Sequence, residues 1–105
     1  MPGGRTIWMP KKYGETVTLP FDFASDLDPS EIISSVVVTA GVYTGVDSNP
    51  SDIKSGSATI AGTKVNQNLR RGIVGVIYSL LCQATTSLGQ ILQITAYCYV
   101  EPDLP

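Results

Sequence analysis

The feature that most constrains the fold of this chain is a pair of apolar, β-prone runs within residues 73–100, separated by a short turn at residues 85–89. In each run alternate residues are apolar, as in a strand that buries one face. The apolar positions are Val74, Val76, Tyr78, Leu80, Cys82 and Ala84 in the first run and Leu92, Ile94, Ala96, Cys98 and Val100 in the second. The pattern predicts a β-hairpin with one buried face, which the rest of the chain covers.

The register of this hairpin follows from the side-chain period of two. The two apolar faces coincide only if paired residues have the same parity, and a three-residue loop that ends at Gly89, with φ above zero, satisfies this condition. Cys82 then pairs with Ile94, and Tyr78 with Cys98. The two cysteines would share a face but lie roughly 13 Å apart along the ladder, too far for a disulfide. Both are predicted to be buried free thiols, which fits synthesis in a reducing cytoplasm.

The length of 105 residues is enough for one domain, and the net charge is −2. An acidic balance with few basic residues argues against a nucleic-acid or anionic-membrane surface. No run approaches the ~20 apolar residues of a membrane helix, and the N-terminus has no apolar segment of the signal-peptide kind. We therefore expect no nucleic acid and no membrane among the partners.

Histidine is absent, which removes the commonest general base and the commonest zinc ligand. The two cysteines do not form a CxxC pair. The carboxylates Asp26 and Asp28 lie in one turn, where nothing indicates the desolvation that would separate their pKa values. The sequence therefore predicts a protein that is not an enzyme and that binds no cofactor and no metal.

Three upstream segments also have strand patterns. Residues 15–23 and 63–70 alternate apolar and polar positions, as half-buried strands do. Pro20 cannot donate to a ladder, so its strand is predicted to lie at a sheet edge or to carry a bulge. Residues 32–43 are rich in β-branched residues, and their apolar parity changes at Ser34-Ser35, which indicates a bulge in a central third strand.

Two polar segments separate these strands. Residues 24–31 combine strong turn chemistry with acidic residues but lack the glycine of a calcium loop, which predicts a solvated turn. Residues 44–58 form the longest polar stretch, predicted as a loop and a candidate contact surface with Ile53 tucked inward. A short strand at residues 59–60 would follow.

Six or seven short strands with no helical periodicity predict an all-β fold. The short loops predict antiparallel pairing throughout. We expect a single β-sandwich, with a meander barrel as the alternative.

Residues 1–14 are interrupted by Pro and Gly around a short apolar patch at residues 6–9, which holds the single Trp of the chain, Trp8. Two interpretations remain open. The segment could be a first edge strand in which Ile7 or Trp8 covers one end of the sandwich. It could instead be an arm that docks on a neighbouring subunit, since an exposed Trp-Met patch needs a partner and Trp is frequent at interface anchors.

The order and spacing of several motifs resemble those of the small immunoglobulin-like proteins found among bacteriophage structural genes. The resemblance covers nearly the whole chain except residues 44–56, and it joins a W-x-P-K segment, an F-D-F strand, an acidic turn and a final T-T-S-x-G hairpin. The matching residues are Trp8, Pro10, Lys11, Phe21, Asp22, Phe23, Asp28, Glu31, Ile32, Ser34, Tyr78, Leu80, Cys82, Thr85, Thr86, Ser87 and Gly89.

The chain also departs from that family. Family members usually have a basic residue after the hairpin glycine, where this chain has Gln90, and many have a Trp near residues 64–69. The Cys…Trp…Cys pattern of true immunoglobulin domains is missing. Tyr78 lies four residues before Cys82, so both a tyrosine-corner role and a plain core role remain open.

The resemblance implies an immunoglobulin-like β-sandwich of about seven strands that serves as a virion component, made in the bacterial host cytoplasm. The first hypothesis is a non-catalytic capsid decoration or cement subunit that binds the head surface through its N-terminal segment and loops. The alternative is a neck, head-tail connector or tail-associated adaptor. A third hypothesis is an adhesion module for host-surface carbohydrate that uses Tyr43, Tyr97 or Tyr99.

The predicted partners are other virion proteins, either the major capsid protein or connector and tail proteins, and a homo-oligomer is an open alternative. We expect residues 1–14 to form the arm or edge strand, residues 15–101 the sandwich, and residues 102–105 a tail. The predicted protein interface consists of Ile7, Trp8, Met9, Lys11, Lys12, Tyr13, Tyr43, Asp47, Asn49 and Ile53.

Overall fold

The predicted hairpin lies inside the larger of two β-sheets. A computed structural model describes residues 5–103 of the chain. Its seven strands are β1 (Arg5–Lys12), β2 (Thr16–Asp22), β3 (Ile33–Thr44), β4 (Lys54–Ala61), β5 (Lys64–Arg70), β6 (Ile77–Thr86) and β7 (Ile91–Glu101). Two short 3₁₀ turns, Ala24–Asp26 and Pro50–Ile53, lie between strands, and no α-helix occurs in the described part. The predicted all-β fold is confirmed.

The strands form a four-stranded sheet in the order β1-β7-β6-β3 and a three-stranded sheet in the order β2-β5-β4. The two sheets face each other across one core, so the predicted sandwich is confirmed and the barrel alternative is not.

The hairpin has the predicted register. Cys82 pairs with Ile94 and Tyr78 with Cys98. The loop closes through the Thr86 N–H, which donates to the Gln90 carbonyl at 2.9 Å, and Gly89 takes φ +83°. Both cysteines are buried free thiols, and burial raises the pKa of each, to about 12 for Cys82 and about 11 for Cys98.

The core lies between the hairpin and the three-stranded sheet. Its fully buried side chains come from the alternate positions that the sequence predicts, and each side of the sandwich contributes large ones. The largest apolar members are Leu19, Phe21, Phe23, Ile53, Leu69, Tyr78, Leu80 and Ile94.

The prediction that all strands are antiparallel is wrong for β1, which runs parallel to β7 along its whole length. Loop length restricts the direction of consecutive strands only when they share a sheet. The short turn at residues 13–15 leads from β1 into β2, which belongs to the other sheet, so it does not restrict how β1 pairs.

β3 lies at a sheet edge rather than at the predicted central position. Its β-branched residues indicate strand propensity but not position in the sheet. Val37, for example, is 60% exposed on this edge strand. The predicted bulge is confirmed, because the register shifts between Ile33 and Ser35. The Lys54 ammonium donates to the Val38 carbonyl at 2.8 Å and covers part of the open edge. β2 is also an edge strand, as Pro20 predicts.

The predicted polar loop 44–58 is too long, because β4 begins at Lys54. Its first two residues pair with Leu69 and Asn68 of β5, and the ladder is interrupted before Thr59. Polar residues fill this strand because both of its sides are largely exposed. The loop between β3 and β4 therefore spans residues 45–53, and Ile53 is buried as predicted.

The turn at residues 24–31 is not simply solvated, because the Glu31 carboxylate is buried. It accepts a hydrogen bond from the Asp28 N–H at 2.9 Å, one from the Thr86 hydroxyl, and contacts of 2.8 and 3.1 Å from the Gln90 amide. Gln90, which follows the hairpin glycine, thus neighbours Glu31. The network joins the acidic turn to the hairpin loop, and these hydrogen bonds to its charged form hold the pKa of Glu31 below its ordinary value.

The structure describes only part of the predicted N-terminal segment and of the predicted C-terminal tail. Residues 1–4 of the N-terminal segment and residues 104–105 of the predicted tail are outside the described residues. Within the described part, Asp103 accepts a hydrogen bond from the Gly14 N–H at 2.6 Å.

We predict that the Glu31 network makes stability depend on acidic pH. A carboxylate whose pKa is lower in the folded than in the unfolded chain adds stability above its unfolded pKa, and that stability is lost as pH falls through the folded value. The difference in urea midpoint between wild type and Glu31→Gln should therefore be large at neutral pH and shrink towards pH 3. The control Asp52→Asn removes an exposed carboxylate and should follow the wild type. A constant Glu31→Gln difference across this range would contradict the prediction.

Candidate functional site

The predicted interface residues fall into three structural groups. Trp8 and Tyr43 lie on the outer face of the four-stranded sheet, and Lys12, Tyr13, Asp47 and Asn49 lie at one end of the sandwich. The remaining four point inward: Ile7 and Met9 are half-buried against the core, and Lys11 and Ile53 are buried.

Trp8, Tyr43 and Tyr97 form an aromatic cluster on the outer sheet face. The Trp8 ring stacks on Tyr97 with centroids 4.7 Å apart, and Tyr43 packs against Tyr97 at 4.6 Å and edge-on to Trp8 at 6.3 Å. These are favoured aromatic separations. Trp8 is nevertheless 59% exposed and Tyr43 56% exposed, so the cluster presents large apolar area to solvent.

The pairing register explains how strands that are not neighbours build this cluster. Trp8, Tyr97, Ser79 and Gly41 occupy one row across the sheet. Ser79 and Gly41 are small, and a Cβ at Gly41 would lie 3.3 Å from the Ser79 hydroxyl oxygen. Because Ser79 and Gly41 are small, they leave space above the sheet. Tyr43, from the next outward position of β3, extends through this space to Tyr97.

An open cleft occupies the end of the sandwich where β1, β3 and β5 finish. Its volume is about 570 Å³, and its walls combine acidic, basic, amide and aromatic groups. It is lined by Tyr13, Asp47, Asn49, Asp52, Ile53, Arg70, Arg71, Gly72 and Ile73. Three of the predicted interface residues, Tyr13, Asp47 and Asn49, therefore lie around one concave surface. The exposed Lys12 is next to Tyr13 in the chain but does not line the cleft.

The wall of the cleft at residues 70–72 depends on Lys11. Its ammonium donates to three carbonyl oxygens, those of Lys12 at 2.8 Å, Tyr13 at 3.1 Å and Arg71 at 2.9 Å. Burial of this group lowers the pKa of Lys11, partly offset by Cys98, Glu15 and Asp103. With 1% of its surface exposed, Lys11 is a support of the cleft and not a contact residue. The sequence missed this because Lys11 is one of two adjacent lysines, and only strand parity separates them.

The opposite wall depends on Tyr78 at the start of β6. Its hydroxyl accepts a hydrogen bond from the Ile73 N–H at 2.8 Å and donates to Asp47 at 2.6 Å. Burial, together with the Asp47 hydrogen bond, raises the pKa of Tyr78 to about 12. Tyr78 is therefore both a core residue and a corner residue, and it joins the loop after β3 to the loop before β6.

Gly72 is required where the cleft floor meets the core. Its φ is +91°, and a Cβ there would lie 2.7 Å from a Val100 methyl group. The preceding Arg71 also has positive φ, +53°. The turn is thus fixed by backbone conformation as well as by Lys11, so the cleft is a rigid surface.

The described residues contain neither a metal-binding group nor a membrane-spanning helix. Residues 5–103 contain no group of three or more His, Cys, Asp or Glu side chains that could hold a metal ion. Within the same range, no helix is long and apolar enough to cross a membrane.

We predict that Lys11→Met destabilises the chain by about 3 kcal/mol, because three partly buried hydrogen bonds from a charged donor are lost. Lys12→Met, at the exposed neighbouring position, should change the free energy of unfolding by less than about 0.5 kcal/mol. Urea denaturation of the two variants measures the difference. Equal effects would show that the Lys11 hydrogen bonds do not support the fold.

We predict that Tyr78→Phe lowers the free energy of unfolding by about 2 kcal/mol, since the Ile73 N–H and Asp47 lose their shared partner. Tyr97→Phe, on the outer face, is the matched control and should have little effect. Thermal denaturation compares the two variants, and a Tyr78→Phe protein as stable as the control would contradict the account.

The solved structures include one weak likeness. A nucleoside hydrolase-related hypothetical protein from Saccharophagus degradans, associated with carbohydrate metabolism, shares 17% identity with a TM-score of 0.42. The alignment covers 91% of this chain but 22% of that one, so the chain spans about a fifth of its length. This likeness carries no argument about fold or function. No curated protein matches the chain.

A protein family also matches most of the chain. The family described as podophage GP4 fiber-tail adaptor protein gp77 matches residues 11–99. This range includes the whole cleft, Tyr43 and Tyr97, but not Trp8. The match supports the predicted phage virion structural protein, and it favours the tail-associated alternative over capsid decoration, which it does not support. The chain belongs to the family of podophage GP4 fiber-tail adaptor proteins, gp77.

Proposed function

We propose that this chain is a non-catalytic adaptor that joins a fibre to the tail of a podophage particle. The observation that carries the proposal is the family match over residues 11–99, which includes six of the seven strands in whole or large part. The expected location is the virion, after synthesis in the host cytoplasm. Its partners on this proposal are tail and fibre proteins.

The end cleft is the surface that we assign to one of these partners. Lys12, Tyr13, Asp47 and Asn49 lie at this end, and the exposed Arg70 and Arg71 lie beside them. Arg side chains are frequent in protein interfaces because they combine planar donors with apolar surface. A partner segment with carboxylates and aromatic groups would fit this mixture.

Rigidity supports the same assignment. Lys11 and Tyr78 hold the cleft walls in place without lining the cleft, and Gly72 allows the tight turn in its wall. A surface that is already ordered loses less conformational entropy when it binds. Such a surface suits a permanent joint in a particle.

An adaptor also requires at least two surfaces, and the fold separates two candidates. The cleft lies at an end of the sandwich, whereas the aromatic cluster lies on the side of the four-stranded sheet. The immunoglobulin-like character of the sandwich fits this use, since its strands form a stiff body with loops at both ends.

The direct test is an amber mutation in the gene for this chain in its parent phage. Particles made without suppression should contain head and tail proteins at normal copy number and lack the fibre protein, as measured by quantitative mass spectrometry. Particles that retain a full complement of fibres would contradict the adaptor role. Loss of head proteins alone would contradict it as well.

The cleft assignment is tested by complementing that mutant with charge-neutralised variants. Arg70→Gln removes a cleft charge, and we expect fewer fibres per particle and weaker binding, by about 1 kcal/mol, as for an exposed charged contact. Lys64→Gln is the matched control, because Lys64 lies at the other end of the same strand and is also exposed. Equal fibre copy numbers for the two variants would remove the cleft from the proposal.

A further inference from the structure

Among the residues that the structure describes, the outer face of the four-stranded sheet carries no charged side chain across its width. The face extends from the row of Ile91, Thr85 and Ser35 to the row of Pro10, Tyr99 and Ile77, with the aromatic cluster near the second row. Every outward position between these rows is Thr, Ser, Gln, Gly, aliphatic or aromatic. Charges begin only at the border, where Lys12 pairs with Glu101.

The outer face of the three-stranded sheet is different. It carries Asp22 and Lys64 at one end and Arg70 at the other, with Asn66 and Asn68 between them. The lack of charged side chains is therefore particular to the outer face of the four-stranded sheet. The chain as a whole is charged, with a net charge of −2.

The uncharged face is large enough to be an interface. Four strands about 4.8 Å apart, with rows about 6.7 Å apart, give a planar area on the order of 500 Å². Two copies would together cover roughly 1,000 Å² of planar area, which reaches the total that a specific interface needs. The aromatic cluster is the large exposed apolar part of this face, and such patches on small proteins often mark interaction sites.

The chemistry of the face is complementary to itself. Hydroxyl and amide groups each donate and accept hydrogen bonds, so a Thr, Tyr or Gln can pair with a copy of itself, whereas a charged group cannot. Two such faces also meet without opposing like charges, although each chain is acidic. Flat sheet faces pack about 10 Å apart in sandwiches, and the same packing is available between chains.

The centre of the face is ordered before binding. The stacked Trp8 and Tyr97 rings, with Tyr43 packed against them, restrict each other. Aromatic side chains held in this way make strong interface anchors because little entropy remains to be lost.

We propose that this chain associates with a second copy of itself, sheet against sheet, through the uncharged face and about a two-fold axis near the aromatic cluster. A two-fold arrangement places the same patch on both partners. It leaves the end cleft of each copy open. This inference concerns the chain alone. It assigns the aromatic cluster to a second copy, so the two end clefts of the dimer, and not the cluster, would provide the two surfaces of the adaptor.

The test is sedimentation equilibrium of the purified chain over a wide concentration range. The wild type should be a dimer that dissociates on dilution. Thr39→Glu, on the uncharged face, should be monomeric, because symmetry places two buried like charges in the contact. Thr59→Glu is the matched control, an exposed threonine in an edge strand of the other sheet, and it should dimerise like the wild type. Trp8→Ser should weaken the dimer about 30-fold.

Each other outcome overturns the proposal. A monomeric wild type at every concentration shows that a copy does not cover this face. A dimer that Thr39→Glu leaves intact, with circular dichroism showing a folded variant, places the contact elsewhere. A monomeric wild type whose Thr39→Glu variant fails to recruit fibres in the particle assay assigns the face to another virion protein. The particle assay tests the adaptor role separately, so the two proposals can fail independently.

Discussion

The constraint on which the rest of the structure depends is the parity of the β6–β7 hairpin. One set of alternate positions builds half of the core, and the other set forms the centre of an outer sheet face. A slip of one residue would exchange these two sets and bring polar residues such as Gln83 inward. The odd-length loop that ends at Gly89 prevents this, and β1 and β3 then add to the two sides of the hairpin.

Each end of the hairpin is held by one buried charged residue. At the loop end, Glu31 is anchored by Thr86 and Gln90. At the other end, Lys11 is anchored by three backbone carbonyls. Both charges are satisfied by hydrogen bonds, and at Lys11 the carboxylates of Glu15 and Asp103 add favourable electrostatics, so each ion is buried at acceptable cost. Lys11 and Glu31 are both among the residues that carry the resemblance to phage proteins. Part of that resemblance therefore comes from residues that support the fold, and not from exposed contact surfaces.

The fold was largely predictable, because period-two patterning and turn chemistry act locally. The hairpin register, the bulge near Ser34 and the edge position of β2 all follow from rules about neighbouring residues. The parallel pairing of β1 and the edge position of β3 did not follow, because they depend on which sheet each strand joins. That choice is made by packing between distant segments.

The candidate surfaces were predictable only in part. The predicted interface residues Tyr13, from the N-terminal segment, and Asp47 and Asn49, from the loop after β3, converge on one cleft. Lys11 and Ile53 are also among the predicted interface residues, but strand parity and a tight 3₁₀ turn bury their side chains. Tyr97 appears in the sequence analysis only as a candidate carbohydrate contact, and its stacking on Trp8 depends on a parallel register that no local pattern indicates. A surface assembled from several strands can be predicted only once the pairing register of those strands is known.

The central claim is that this sandwich is the joint between tail and fibre. A cryo-electron microscopy map of the intact parent particle tests it most directly. The account predicts density for the seven-stranded sandwich between the tail and the base of each fibre, with the end cleft in contact with one of them. Density for the sandwich on the head surface, or fibres that contact the tail without it, would contradict the account.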